Sequence, residues 1–270
     1  MKTGSTMWNA ALVALTLIAA LPAAAQRYDR SGEMFGSRNE RRNVAGQFDY
    51  YALALSWSPT HCATAQTRDG DPQCGRNDGR RFGFVLHGLW PQHERGWPEY
   101  CPGKGRTYIP QQVLDELGDM MPSPRLAIHE YRKHGTCSGL SPGEYFLFSR
   151  KLFQKVKIPA AYVNPLESRM VAPDDLVDEF LAVNPGLKPD MLAVSCGGAG
   201  NRLREIRVCF DRSGDFRTCG RNEDQRRMCS ASRMFVLPVR TTKTEPQSVE
   251  ERRNVRAPLP GPRVIPGVGR

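Results

Sequence analysis

Histidine is scarce in this chain, with five among 270 residues, so any chemistry that needs imidazole must come from very few positions. No two of the eight cysteines stand as Cys-x-x-Cys, which leaves metal ligation the weaker reading of them. Beyond residue 25 no apolar run approaches about 18 residues, which argues against a transmembrane helix. No segment repeats, so a repeat architecture is excluded. The glycine-rich "SCGGAG" (195–200) lacks the spacing of a phosphate loop and reads as a disulfide-held turn.

The first 25 residues read as a secretory signal. Lys2 precedes the short apolar core "AALVALTLIAAL" (10–21), and Ala23-Ala24-Ala25 offers a cleavage site. An uncleaved anchor is the competing reading. Export, to a periplasm or outside the cell, makes four disulfides the natural use of eight cysteines, although counting leaves about 105 pairings open. Removing the signal takes away Lys2 and lowers the formal net charge from +10 to +9. The stretch 240–270 carries seven basic and three acidic residues, and the body 26–239 keeps +5. A moderate positive field suits a polyanion such as RNA, and equally suits solubility.

Residues 26–46 are charged and aperiodic and read as a flexible lead-in. The basic, proline-rich tail 240–270 reads as disordered, its arginines either solvated or holding an anionic surface. One domain over 47–239 lies between. "FDYYALALSW" (48–57), "RFGFVLHGLW" (81–90), "LREIRVCFD" (203–211) and "RMFVLPV" (233–239) read as strands. In the second, alternation puts Phe82, Phe84 and Leu86 on one face and Gly83, Val85 and His87 on the other. Helices are expected at 123–135, 141–156 and 173–186, each opened by Ser-Pro or Pro-Asp. Strands and helices do not alternate regularly. The expected class is α+β, a central antiparallel sheet packed with several helices and stabilised by disulfides.

"HEYRKHGTC" (129–137) sets two histidines, a glutamate and a lysine within six residues. His-Glu-x-x-His would be a zinc signature, but this stretch has one residue too many. On an α-helix, His129 and His134 lie about 140° apart, which spoils a shared metal site. The same spacing puts Lys133 one turn from His129 and His134 one turn from Glu130. A carboxylate near an imidazole supports its charged form, and a lysine beside a histidine suits an oxyanion such as phosphate. "HGLWPQ" (87–92) offers a second acid–base group, His87, beside Gly88 and Trp90. Trp90 is either a platform for a base or part of the core, and His87 either faces a cleft or is a buried strand residue.

"FVLHGLWPQ" and "IHEYRKHGTC" resemble the two signature segments of the ribonuclease T2 family of secreted endoribonucleases, and the resemblance covers about 48–239. It implies that His134 is the general base for the ribose 2′-hydroxyl and His87 the general acid for the leaving 5′-oxygen. Glu130 and Lys133 match the pair beside the phosphate, and His129 matches a histidine that helps hold it. Trp90 and Gln92 match the base site. The resemblance further implies cleavage of single-stranded RNA through a 2′,3′-cyclic phosphate, no metal or cofactor, and no action on DNA; a monomer is expected, with oligomeric state left open by the sequence. The family often has tryptophan in place of Tyr131, which bears on packing there, and many relatives have glutamine in place of Ser56, which puts a second base site in doubt. By the same resemblance Cys101–Cys137 should be bridged, and the remaining cysteines then suggest Cys62–Cys74, Cys196–Cys229 and Cys209–Cys219. His61 and His93 read as surface residues. Two other readings stay open: a metal-dependent hydrolase using His129, Glu130 and His134, and a silent relative that binds RNA.

Overall fold

The computed structural model describes residues 43–64, 71–74, 81–103 and 108–239. The signal segment, most of the lead-in and the tail lie outside the described residues. The last four lead-in residues are held rather than free: Asn43 accepts from the Glu99 N–H at 3.1 Å, and the Gly46 N–H donates to the Cys137 carbonyl at 2.9 Å.

Six strands among the described residues form one sheet: β1 (Tyr50–Trp57), β2 (Phe84–Gln92), β3 (Arg169–Val171), β4 (Leu192–Gly197), β5 (Arg202–Phe210) and β6 (Met234–Val236). β1 pairs antiparallel with β2 and β5, β4 with β5, and β3 with β6. β6 joins β5 in parallel at Arg202 and Phe235, so the sheet is mixed rather than wholly antiparallel. The α+β class holds.

β1 is buried along its length apart from Ser56. Its alternation is strict: Tyr51, Leu53, Leu55 and Trp57 enter the main core, while Tyr50 and Ala52 join a small cluster with Cys209. Burying each Leu there contributes about 1.5–3 kcal/mol.

The helices are α1 (Ser58–Thr64), α2 (Gln111–Glu116), α3 (Pro124–Glu130), α4 (Pro142–Lys155), α5 (Pro173–Val183) and α6 (Gln225–Met228). Ser123 caps α3 by accepting from the Leu126 N–H, with Pro124 in the first turn. Ser141 and Glu144 form a capping box on α4. The expected helix over 123–135 is not continuous: α3 passes into a π turn, Tyr131–Gly135, then into a last α turn, Thr136–Ser138. "SCGGAG" is only partly a turn, because Ser195–Gly197 complete β4.

Two strands carry an extra residue. In the β1–β2 ladder Leu55 faces Leu86 and Ala54 faces Gly88, leaving His87 as the unpaired residue of a bulge. Leu86 and Leu89, three apart, therefore both reach the main core. In the β4–β5 ladder Ser195 faces Glu205 and Cys196 faces Leu203, leaving Arg204 unpaired. Leu203 and Ile206 both reach the core for the same reason. A bulge re-aims side chains while the strand stays in its sheet, and here both bulges flank one site.

Candidate active site

The sheet supplies one half of the site. His87, re-aimed by its bulge, has a side chain 37% exposed and places Nδ1 2.6 Å from Glu205 Oε2. The other oxygen of Glu205 accepts from Arg207 Nε at 2.9 Å. Arg207 Nη1 lies 3.4 Å from Glu223 Oε1, and the Tyr50 hydroxyl donates to the other Glu223 oxygen. The Arg207 guanidinium stacks 4.7 Å from the Trp90 ring.

The helix supplies the other half. The π turn absorbs the residue that separates this stretch from a zinc signature, and the Thr136 N–H reaches back to the Tyr131 carbonyl. Bonds spanning five residues do not follow α-helical spacing, so the angle of about 140° inferred from an α-helix does not describe His129 and His134 here. Gly135 fits because a Cβ there would strike the Tyr131 ring. Tyr131 is buried, with its hydroxyl donating to the Leu140 carbonyl at 3.0 Å. Glu130 is buried and accepts from Trp90 Nε1 at 2.6 Å. Its other oxygen lies 3.7 Å from His87 Nε2. Gly88 makes this approach possible, since a Cβ there would collide with Glu130 Oε2 and Trp90 Nε1.

Trp90 joins the halves. Its ring centroid lies 5.2 Å from that of His87 and 5.3 Å from that of His134. It is only 8% exposed. Arg207 lies over the ring, both histidines pack against it, and Trp90 lines the cavity that opens beside His87. Three aromatics among the described residues are exposed: Trp97, at 51%, Tyr100, at 58%, and Tyr108, at 70%. The Tyr100 N–H donates to the Lys133 carbonyl at 2.7 Å, which seats this loop on the π turn. The Cys101–Cys137 disulfide joins the same two segments. The other bridges are Cys62–Cys74, Cys196–Cys229 and Cys209–Cys219.

The two histidines feel opposite fields. Burial works against the charge on His87, but the hydrogen bond and charge of Glu205, with Glu130 beyond, hold its pKa above the ordinary histidine value. Burial, then the charges of Lys133, His87, His129 and Arg207, push His134 down to about 3. The His134 Nδ1 is buried and has no hydrogen-bond partner among the described residues. Burial raises the Glu130 carboxyl, opposed by His87 and by the bond from Trp90. Glu205 is also buried, yet its bond to His87 and the adjacent Arg207 hold it below the usual carboxylate range.

A cavity of about 340 Å³ opens beside His87 and is lined also by Ser56, Thr60, His61, Arg204 and Arg207. His61 therefore faces the same cavity as His87, and its Nε2 lies 2.8 Å from Asp71. Of the remaining expected residues, Lys133 is half-buried, with Nζ 3.9 Å from Glu99, and His129 is exposed. Gln92 is buried and accepts from Asn222 Nδ2 at 2.9 Å. His93 is half-buried, 3.8 Å from Asp49. Glu205, Arg207 and Glu223 carried no local signal: each is an ordinary charged residue, and Glu205 meets a histidine 118 positions earlier in the chain.

The ribonuclease T2 family model matches residues 48–219. A protein of Aeromonas hydrophila named ribonuclease is 37% identical over 215 residues, covering 75% of this chain and 91% of that one. A probable ribonuclease of Haemophilus influenzae is 31% identical over 190 residues, 66% of this chain and 63% of the other. Among solved structures, an RNase-related protein from Calystegia sepium matches with a TM-score of 0.54 at 22% identity, covering 71% of this chain and 98% of that one. Ribonuclease MC1 from bitter gourd seeds matches at 0.53 and 21%, covering 69% and 99%. At these identities the two structures speak for the fold alone.

Proposed function

The chain belongs to the ribonuclease T2 family, and from that premise we propose that it cleaves single-stranded RNA by metal-independent transphosphorylation. His134 removes the proton from the ribose 2′-hydroxyl, and that oxygen attacks the adjacent phosphorus. His87 gives a proton to the departing 5′-oxygen. A 2′,3′-cyclic phosphate results, and its hydrolysis runs the two proton transfers in reverse.

The observation that carries this reading is the opposite environment of the two imidazoles. A histidine pushed down to about 3 is neutral and able to accept at any milder pH. One held above the ordinary value keeps its proton to give. Environments that push a pair of titratable groups apart assign acid and base. Lys133 and Glu130 lie beside the base on the same turn, where a cation stabilises the charge that develops on phosphorus oxygens. Trp97 and Tyr100 offer stacking surfaces for bases. DNA, lacking the nucleophilic 2′-hydroxyl, stays intact.

Metal independence belongs to the proposed two-histidine chemistry, in which the imidazoles themselves move the protons. Among the described residues only His61, Asp71 and Cys74 bring three ligand atoms within 4.8 Å, and Cys74 is bonded to Cys62. Four disulfides support an exported protein, and no helix among the described residues is long and apolar enough to cross a membrane.

The test is cleavage of an RNA oligonucleotide in excess EDTA by wild type, His87→Ala and His134→Ala. Cyclic phosphate ends from wild type, with each variant down by at least about 10²-fold, are expected. Cleavage lost in EDTA and restored by zinc would overturn the metal-free mechanism.

A further inference from the structure

We infer that Glu205 is a positioning residue for His87, accepting its Nδ1–H and so assigning the transferable proton to Nε2. The inference rests on the general-acid role proposed for His87. An ionised carboxylate only accepts, so the 2.6 Å contact between Nδ1 and Glu205 Oε2 requires the hydrogen to sit on Nδ1. That leaves Nε2, on the Glu130 side of the ring, as the nitrogen that gives up a proton. The step balances: Nε2–H passes to the 5′-oxygen as the phosphorus–oxygen bond breaks, and His87 is left neutral with its remaining proton on Nδ1. Water returns a proton to Nε2 during hydrolysis of the cyclic phosphate.

Glu205 can do this because it is itself immobilised. It is 8% exposed, its other oxygen is bonded to Arg207 Nε at 2.9 Å, and Arg207 is held in turn by Glu223 and by stacking on Trp90. The bulge at Arg204 turns Glu205 to the site face while Leu203 and Ile206 stay in the core. The Cys209–Cys219 bridge ties β5 to the segment that presents Glu223. The charged groups around His87 are Glu205, Arg207 and Arg204 from β5, His61 from α1, Glu130 from the end of α3, and His134 from the π turn. Among the described residues only Glu205 bonds to its Nδ1.

The experiment compares wild type, Glu205→Gln and Glu205→Asp on two substrates: a dinucleotide, and a uridine 3′-phosphate ester of p-nitrophenol. The aryl oxide leaves without needing a proton, so general acid catalysis contributes little to it. Glu205→Gln should lower kcat on the dinucleotide by roughly 10- to 100-fold with KM nearly unchanged. It should also move the alkaline limb of kcat/KM downward by about one pH unit, and leave the aryl ester almost unaffected. Glu205→Asp should keep the alkaline limb of wild type. Equal losses on both substrates would reduce Glu205 to a structural role, and an unchanged alkaline limb and kcat in Glu205→Gln would overturn the inference. A wild type inactive on both substrates would instead sink the ribonuclease mechanism itself.

Discussion

His87 and His134 pack against the same indole, yet one sits in an acidic surrounding and the other in a basic one. On the strand side, a bulge turns His87 toward Glu205 and Glu130. On the helix side, a π turn holds His134 buried beside Lys133, with cationic groups lowering it further. Local irregularity builds both halves, and the difference between them is the sign of the neighbouring charge. A strand or helix without its extra residue would present neither histidine in this way, because regular spacing alternates or rotates side chains without regard to a distant partner.

The largest blow to this arrangement should come at the point where the halves meet. Gly88→Ala places a Cβ into Glu130 Oε2 and Trp90 Nε1, so both halves must move apart. A loss of kcat/KM of about 100-fold is expected, since displacement by about 1 Å costs that much. Destabilisation by about 1–3 kcal/mol should accompany it, read by denaturant unfolding. Near-normal activity would show that the halves do not depend on this close approach.

The comparison of charge is sharpened by pH. The proposed mechanism needs His134 neutral, which holds above about pH 3, and His87 protonated, which holds to above the ordinary histidine value. kcat/KM should therefore be bell-shaped, with its acid limb near 3 and its alkaline limb above 6.5. Lys133→Gln removes a charge that depresses His134, so the acid limb should move up while the alkaline limb stays, with kcat down about 10-fold. Movement of both limbs together would mean that the two imidazoles titrate as one coupled unit.

The smallest effect is expected from Gln92→Ala. Gln92 is buried against Asn222 and bonds to neither His87 nor His134, so catalysis should change less than about threefold while stability falls by about 1 kcal/mol. A large rise in KM confined to one base would restore Gln92 to substrate recognition.

Much of the fold was legible because it follows from local rules. The strict alternation of β1, the Ser-Pro starts of α3 and α4, and the mixture of strands and helices without regular alternation all show in the residues themselves. The stretches "HGLWPQ" and "HEYRKHGTC" supplied His87, Glu130 and His134, which lie against Trp90. Other features were not legible. Strict alternation along 81–90 missed the bulge at His87, since a bulge depends on the facing strand. The π turn was missed because α-helical spacing was assumed through Gly135. The stacking of Arg207 on Trp90 was not legible either, because Arg207 comes from a strand far along the chain.

By itself, then, the sequence determined which chemical groups were at hand and on which kinds of element they sat, because propensity, capping and hydrophobic period act over a few residues. Only the tertiary structure decided which imidazole would carry charge. That choice depends on Glu205 and Arg207 arriving beside His87 through strand pairing, and on the burial of His134. Coulombic and desolvation effects follow distance through space, and spatial neighbours so far apart in the chain leave no pattern in it.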